Sequence, residues 1–148
     1  MRDLKEVLEQ NKEKYIEVNL FESMGADEIT VDPMDEAVIQ ESYKKHQEGN
    51  LGHNQTDRAN VYATFKGKQG GKSLLFNGHI DVMPAEMEDG WTNPPFEPVI
   101  RDGKMYGRGC TDMKGGLMAS VMAVKLLQDA GYELPGDVTI TSVCDEEG

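Results

Sequence analysis

Apolar and polar residues alternate in distinct rhythms along the chain. Leu4, Val7, Leu8, Tyr15 and Val18 recur near the helical period between charged residues, so an amphipathic helix is expected over residues 3–23, closed by Gly25. Residues 28–31 alternate as in a short strand. Asp32-Pro33 reads as a cap followed by the proline favoured at a first helical position, which predicts a second helix over residues 34–47, polar on most faces. Residues 48–60, with Gly49, Asn50, Gly52, Asn54 and Asp57, have the chemistry of a loop.

The rhythm then changes. Val61, Ala63 and Phe65 alternate with Tyr62, Thr64 and Lys66, and a glycine-rich stretch at 67–71 separates them from the apolar run at 73–77. This predicts two strands joined by a turn, the second covered on both faces. A proline-rich loop at 83–98 and a hairpin about Asp102-Gly103 follow. Leu117, Val121, Val124 and Leu127, with Met118 and Met122 beside them as core positions, predict a helix over 114–130 closed by Gly131, and residues 138–143 form a last strand rich in β-branched residues. Mixed helices and strands of this kind indicate an α/β fold.

Composition narrows the function. With 148 residues, one domain is the natural count. Fifteen basic against 27 acidic side chains leave a net charge of −12, which argues against nucleic acid or an anionic membrane surface as the main partner. Two cysteines, Cys110 and Cys144, are too few for a disulfide framework and suit a reducing compartment; with a charged N-terminus and no membrane-length apolar run, a cytoplasmic protein is expected.

Three acid-bearing clusters stand beside predicted elements, at 78–81, 109–112 and 145–148. His79 and Asp81 are two apart in an extended segment and project to one side, so Asp81 is placed to accept from the imidazole nitrogen that does not hold a metal. Asp145, Glu146 and Glu147 are three consecutive carboxylates after an apolar strand, costly there unless a cation or basic group offsets their repulsion, and Gly148 permits a bend. One imidazole with several carboxylates suits zinc, cobalt or manganese better than calcium. Taken alone, Asp112 reads as a helix cap and the acidic triplet as a solvated turn. His46 and His53 read as structural or solvent-facing, and the two cysteines as small buried apolar residues. Trp91 and Phe96 are expected to anchor the proline-rich loop, and Arg108 and Lys114 to pair with nearby carboxylates.

The strings GHIDVMP (78–84), WTNPPF (91–96), DGKMYGRGCTDMKGG (102–116) and DEEG (145–148), in that order, resemble the acetylornithine deacetylase, succinyl-diaminopimelate desuccinylase, aminoacylase and carboxypeptidase family of co-catalytic zinc hydrolases. The similarity covers about residues 59–148, while residues 33–58 match nothing nameable. The resemblance implies a mixed sheet flanked by helices in a zinc-exopeptidase-like catalytic domain. It implies two Zn2+ ions, with Co2+ as a substitute: His79 ligates one, Asp112 bridges both and Glu147 ligates the other. Asp81 would orient His79, and Glu146 would be the general base that takes a proton from the attacking water and returns it to the leaving amine. A cis peptide between Asp112 and Met113 is implied too.

The substrate class so implied is an N-acyl amino acid or short peptide, and the complete protein would be a homodimer. The family also supplies one further carboxylate and one further histidine, and a smaller dimerisation domain, from segments beyond these. The 148 residues are therefore expected to be a truncated part of the catalytic domain that binds zinc weakly and hydrolyses little, and that leaves a sheet edge unpaired by ending just after the strand at 138–143. Two readings compete with this one. One is a non-catalytic metal-binding or assembly fragment that needs a partner chain, and the other a purely structural acidic domain.

Overall fold

The structure, a computed structural model, describes residues 15–47 and 55–147. Helix α1, Ile16–Ser23, buries Val18 and Phe21, three residues apart on one face. The part of the expected first helix before residue 15 lies outside the described residues. Strand β1, Glu28–Pro33, pairs antiparallel with β2, Ala59–Phe65, and Ile29 stands opposite Ala63. Pro33 does not open a helix: it ends β1 opposite Ala59, and β1 is an edge strand, where a missing N–H costs no ladder bond. Asp35 caps helix α2, Glu36–His46, its side chain accepting the Ala37 N–H at 2.8 Å. No residue of α2 is buried, as its polar sequence suggests.

Along β2 every second residue, from Ala59 to Phe65, is buried, and the residues between are half-buried. Strands β3, Leu74–His79, and β6, Val138–Val143, complete a four-stranded sheet in the order β1-β2-β6-β3. Strand β6 runs antiparallel to β2 and parallel to β3, so the sheet is mixed. Two expectations are corrected here. The strands on either side of the glycine-rich stretch are not partners, because β6 lies between them. Backbone bonds from Lys68 to Leu134 and from Gly71 to Pro135 tie that stretch to the segment leading into β6, which opens room for it. Strand β3 is the far edge, not a doubly covered strand, and leaves Leu74 and Leu75 50% and 59% exposed. Strand β6 is paired on both sides and buries Val138, Ile140, Thr141 and Ser142, and the sheet's edges are β1 and β3.

Helix α3, Lys114–Asp129, provides the crossover between the parallel strands β3 and β6. It turns Leu117, Val121 and Val124 into the same apolar cluster as Phe21, Val61 and Ile140. Met118 and Met122 sit one residue around from that stripe and are exposed, contrary to their expected core role. At its far end the Gln128 amide donates to the Met24 carbonyl at 3.2 Å, joining α3 to the end of α1. Between β3 and α3 the chain makes one turn of 3-10 helix at Met87–Asp89 and a hairpin, β4 (Val99–Arg101) with β5 (Lys104–Tyr106). Asp102 and Gly103 have φ of 51° and 70°, the two positive values that a tight primed turn requires.

Candidate metal centre

Parallel pairing sets His79 beside Val143, so the carboxyl ends of β3 and β6 lie together, where open α/β sheets place their ligands. Into this corner the start of α3 brings Asp112 and the residues after β6 bring Glu146 and Glu147. One ligand atom each from His79, Asp112 and Glu147 lies within 4.8 Å of the other two. The His79 side chain is only 5% exposed, whereas Asp112 and Glu146 are 75% and 60% exposed and line an open side.

The two imidazole nitrogens face different chemistry. Nδ1 stands 3.2 Å from the Asp81 carbonyl oxygen and 3.5 Å from the Asp81 carboxylate. Nε2 stands 3.1 Å from Asp112 Oδ1 and 3.6 Å from Glu146 Oε2. With the Nδ1 proton donated to Asp81, a neutral imidazole aims the lone pair of Nε2 at carboxylate oxygens, a repulsive arrangement unless a cation lies among them. The titration of His79 expresses the same demand: burial alone would lower its pKa, but the Asp81 carbonyl, the Asp112 carboxylate and the charges of Glu146 and Asp81 together raise it above the ordinary 6.5. A nitrogen and several carboxylate oxygens form the donor set of a divalent transition metal, and these residues fit one. The Asp81 carboxylate also accepts the Glu147 backbone N–H at 2.9 Å, so one residue holds the imidazole through its carbonyl and the acidic loop through its side chain.

The acidic run bends at Asp145, whose φ is 75°, one residue before Glu146. Its carboxylate accepts from Arg58 Nη1 at 3.0 Å and from Gln55 Nε2 at 3.1 Å, which is the compensating cation that three adjacent acids require. The bend expected at Gly148 falls on a residue outside the described ones. Neither Gln55 nor Arg58 stands out in the sequence. Their only signal is a lone basic residue just before an alternating strand.

The other candidates divide. The Asp112–Met113 peptide is cis, as the resemblance implies. The helix-capping position of α3 is Met113, with no side-chain cap, so the capping reading of Asp112 is not realised. Cys110 and Cys144 are half-buried free thiols rather than fully buried ones. Burial pushes the Cys144 thiol up, against the opposing charge of Arg58, and its backbone N–H donates to Asn60 Oδ1 at 3.0 Å. The Arg108 guanidinium lies over the Trp91 ring, 5.4 Å from its centroid, while Phe96 is largely exposed. His46 is exposed, and His53 lies outside the described residues.

Comparison with known proteins bears on the part of the chain from β3 onward. Residues 75–148 match the profile of Peptidase family M20/M25/M40. The N-formyl-4-amino-5-aminomethyl-2-methylpyrimidine deformylase of Bacillus subtilis is 42% identical over 90 residues, 60% of this chain and 21% of that protein. The succinyl-diaminopimelate desuccinylase of Dechloromonas aromatica is 49% identical over 75 residues, 51% of this chain and 20% of that protein. Among solved structures, human carnosine dipeptidase 1 superposes with a TM-score of 0.62 at 25% identity, over 86% of this chain and 24% of that one. An M20 family metallo-carboxypeptidase from Sulfolobus solfataricus superposes with a TM-score of 0.54 at 27% identity, over 75% of this chain and 25% of that one. The chain thus spans about a fifth of the length of the curated relatives it matches.

Proposed function

The chain belongs to peptidase family M20/M25/M40, and on that premise we propose that His79, Asp112 and Glu147 hold a pair of divalent cations, zinc foremost with cobalt as a substitute. The whole protein then hydrolyses an amide bond of N-acyl amino acids or short peptides, in the manner of acetylornithine deacetylase. The observation that carries this reading is the convergence of an imidazole nitrogen and carboxylate oxygens within 4.8 Å at the carboxyl ends of two parallel strands. His79 would hold one ion, Asp112 would be shared and Glu147 would hold the other. Catalytic zinc takes about three protein ligands. If Asp112 bridges, these side chains provide two to each ion, so the complete centre draws further ligands from elsewhere in the protein. The 148 residues are accordingly one part of a catalytic domain, and the complete enzyme is a homodimer. Two unpaired thiols, Cys110 and Cys144, suit a cytoplasmic setting.

When bound, the cations would supply Lewis-acid polarisation of the scissile carbonyl and of the attacking water. The remaining chemistry falls to side chains. Glu146 is exposed toward the open side beside His79 Nε2, free of the role of ligand. It takes the proton from the attacking water and passes it to the amine as the C–N bond breaks. Asp81 holds the imidazole through Nδ1, which fixes the tautomer that leaves Nε2 for the cation.

The test is Glu146→Gln in the metal-loaded, full-length protein, assayed on formyl, acetyl and succinyl amino acids and on dipeptides. Hydrolysis of the accepted substrate is expected to fall by about 100-fold or more while metal content stays unchanged. Near-parental turnover with metal bound would contradict the assignment of Glu146.

A further inference from the structure

Strands β2 and β6 pair by their backbones as far as Val61 opposite Ser142, and beyond that point side chains take over. Asn60 Oδ1 accepts the Cys144 N–H at 3.0 Å, and Arg58 and Gln55 each donate to one oxygen of Asp145, at 3.0 and 3.1 Å. Three side chains from one short stretch therefore grip two consecutive residues. Arg58 and Asp145 are both largely shielded from water, with side chains 25% and 10% exposed, and Gln55 is buried. Asp145 has a positive φ, a conformation that L residues other than glycine adopt at a cost and keep only when their surroundings hold them there. This bend immediately precedes Glu146 and Glu147. A cavity of about 220 Å³ is lined by Arg58, Asp81, Ile80 and Cys144, so Arg58 shares a wall with the residue whose carbonyl faces His79 Nδ1.

We propose that Gln55 and Arg58 are positioning residues of the metal centre: by clamping the Asp145 carboxylate they fix the bend that aims Glu147 at His79 and Asp112 and leaves Glu146 on the open side. The inference rests on the metal-centre reading above and extends it to a segment outside the family match. Neither residue touches the cations. Each acts through Asp145, and the geometry has two anchors: the clamp on the far side of the bend and the Asp81 acceptor for the Glu147 N–H on the near side.

The experiment is a Co2+ titration of the full-length protein, followed by the visible absorption of the bound ion, in the parent and in Arg58→Met, which keeps length and loses the charged fork. Arg58→Met is expected to weaken Co2+ binding by about tenfold or more and to change the band intensity, while Arg58→Lys recovers part of the affinity. Val124→Ala, a core change remote from the bend, serves as a control for destabilisation and is expected to leave the titration unchanged. Should Arg58→Met fail to fold, Gln55→Leu removes the second donor and keeps the ion pair, with an expected loss of about threefold. Parental Co2+ affinity and spectrum in the folded variant would overturn the clamp alone. A parent that takes up no Co2+ would overturn the metal centre itself and the clamp with it.

Discussion

Asp81 carries more of the site than its neighbours, because it touches two of the groups that must meet. Its carboxylate stands 3.5 Å from His79 Nδ1 and accepts the Glu147 N–H at 2.9 Å. Asp81→Ala keeps the carbonyl that faces His79 Nδ1 but loses the charge beside the imidazole and the acceptor of the Glu147 N–H, and is expected to weaken zinc binding by about tenfold. Isothermal titration measures it, and parental affinity in a folded variant would show that the imidazole is oriented without that carboxylate. At this scale much of the site was legible in the sequence. The two-residue spacing of His79 and Asp81 at a strand end, and an acidic triplet that makes little sense unless something positive faces it, both mark chemistry. Arg58 and Gln55 were not legible, because they act across 87 and 90 positions on the far side of Asp145, a separation no local pattern encodes.

The elements themselves followed from periodicity where one face is buried, as in β2 and α3, and from turn chemistry at Asp102-Gly103 in the exposed hairpin. Their pairing order did not, since the alternation along β2 and β6 is equally compatible with several neighbours. The apolar run of β3 looked doubly covered because Leu74 and Leu75 carry no mark of exposure. The insertion of β6 depends on close approach of the two connections, and Gly136 shows how close: a Cβ there would stand 2.2 Å from the Lys72 carbonyl oxygen. Gly136→Ala is expected to destabilise the fold by about 1–3 kcal/mol. Urea unfolding measures it, and an unchanged midpoint would mean that the connections part without cost. Asp137, beside it, accepts the Gly67 N–H at 2.9 Å and pairs with Lys66, and these contacts lower its pKa below 3.8. A carboxyl whose folded pKa is depressed contributes stability that is present above its unfolded value and lost as pH falls through the folded one. The stability gap between the parent and Asp137→Asn should therefore be full near neutral pH and close as pH falls below about 4. A gap that persists undiminished in acid would assign its origin to packing.

On the scale of the whole molecule, the sheet serves to bring distant segments to one corner. The parallel pair β3 and β6 ends there, α3 begins there, and the stretch before β2 reaches across to fasten the loop. A net charge of −12 adds a general preference for cations, and the corner localises it around a single buried imidazole. Among the described residues no helix is long and apolar enough to cross a membrane. The central claim is that this corner binds divalent metal through His79, Asp112 and Glu147. Equilibrium dialysis of the full-length parent, His79→Ala and Glu147→Ala against buffered Zn2+, with bound metal measured by mass spectrometry, is the test. Zinc should be retained by the parent and bound at least about tenfold more weakly by either variant, because each loses a ligand. Equal zinc in all three folded proteins, or none in the parent, would contradict it.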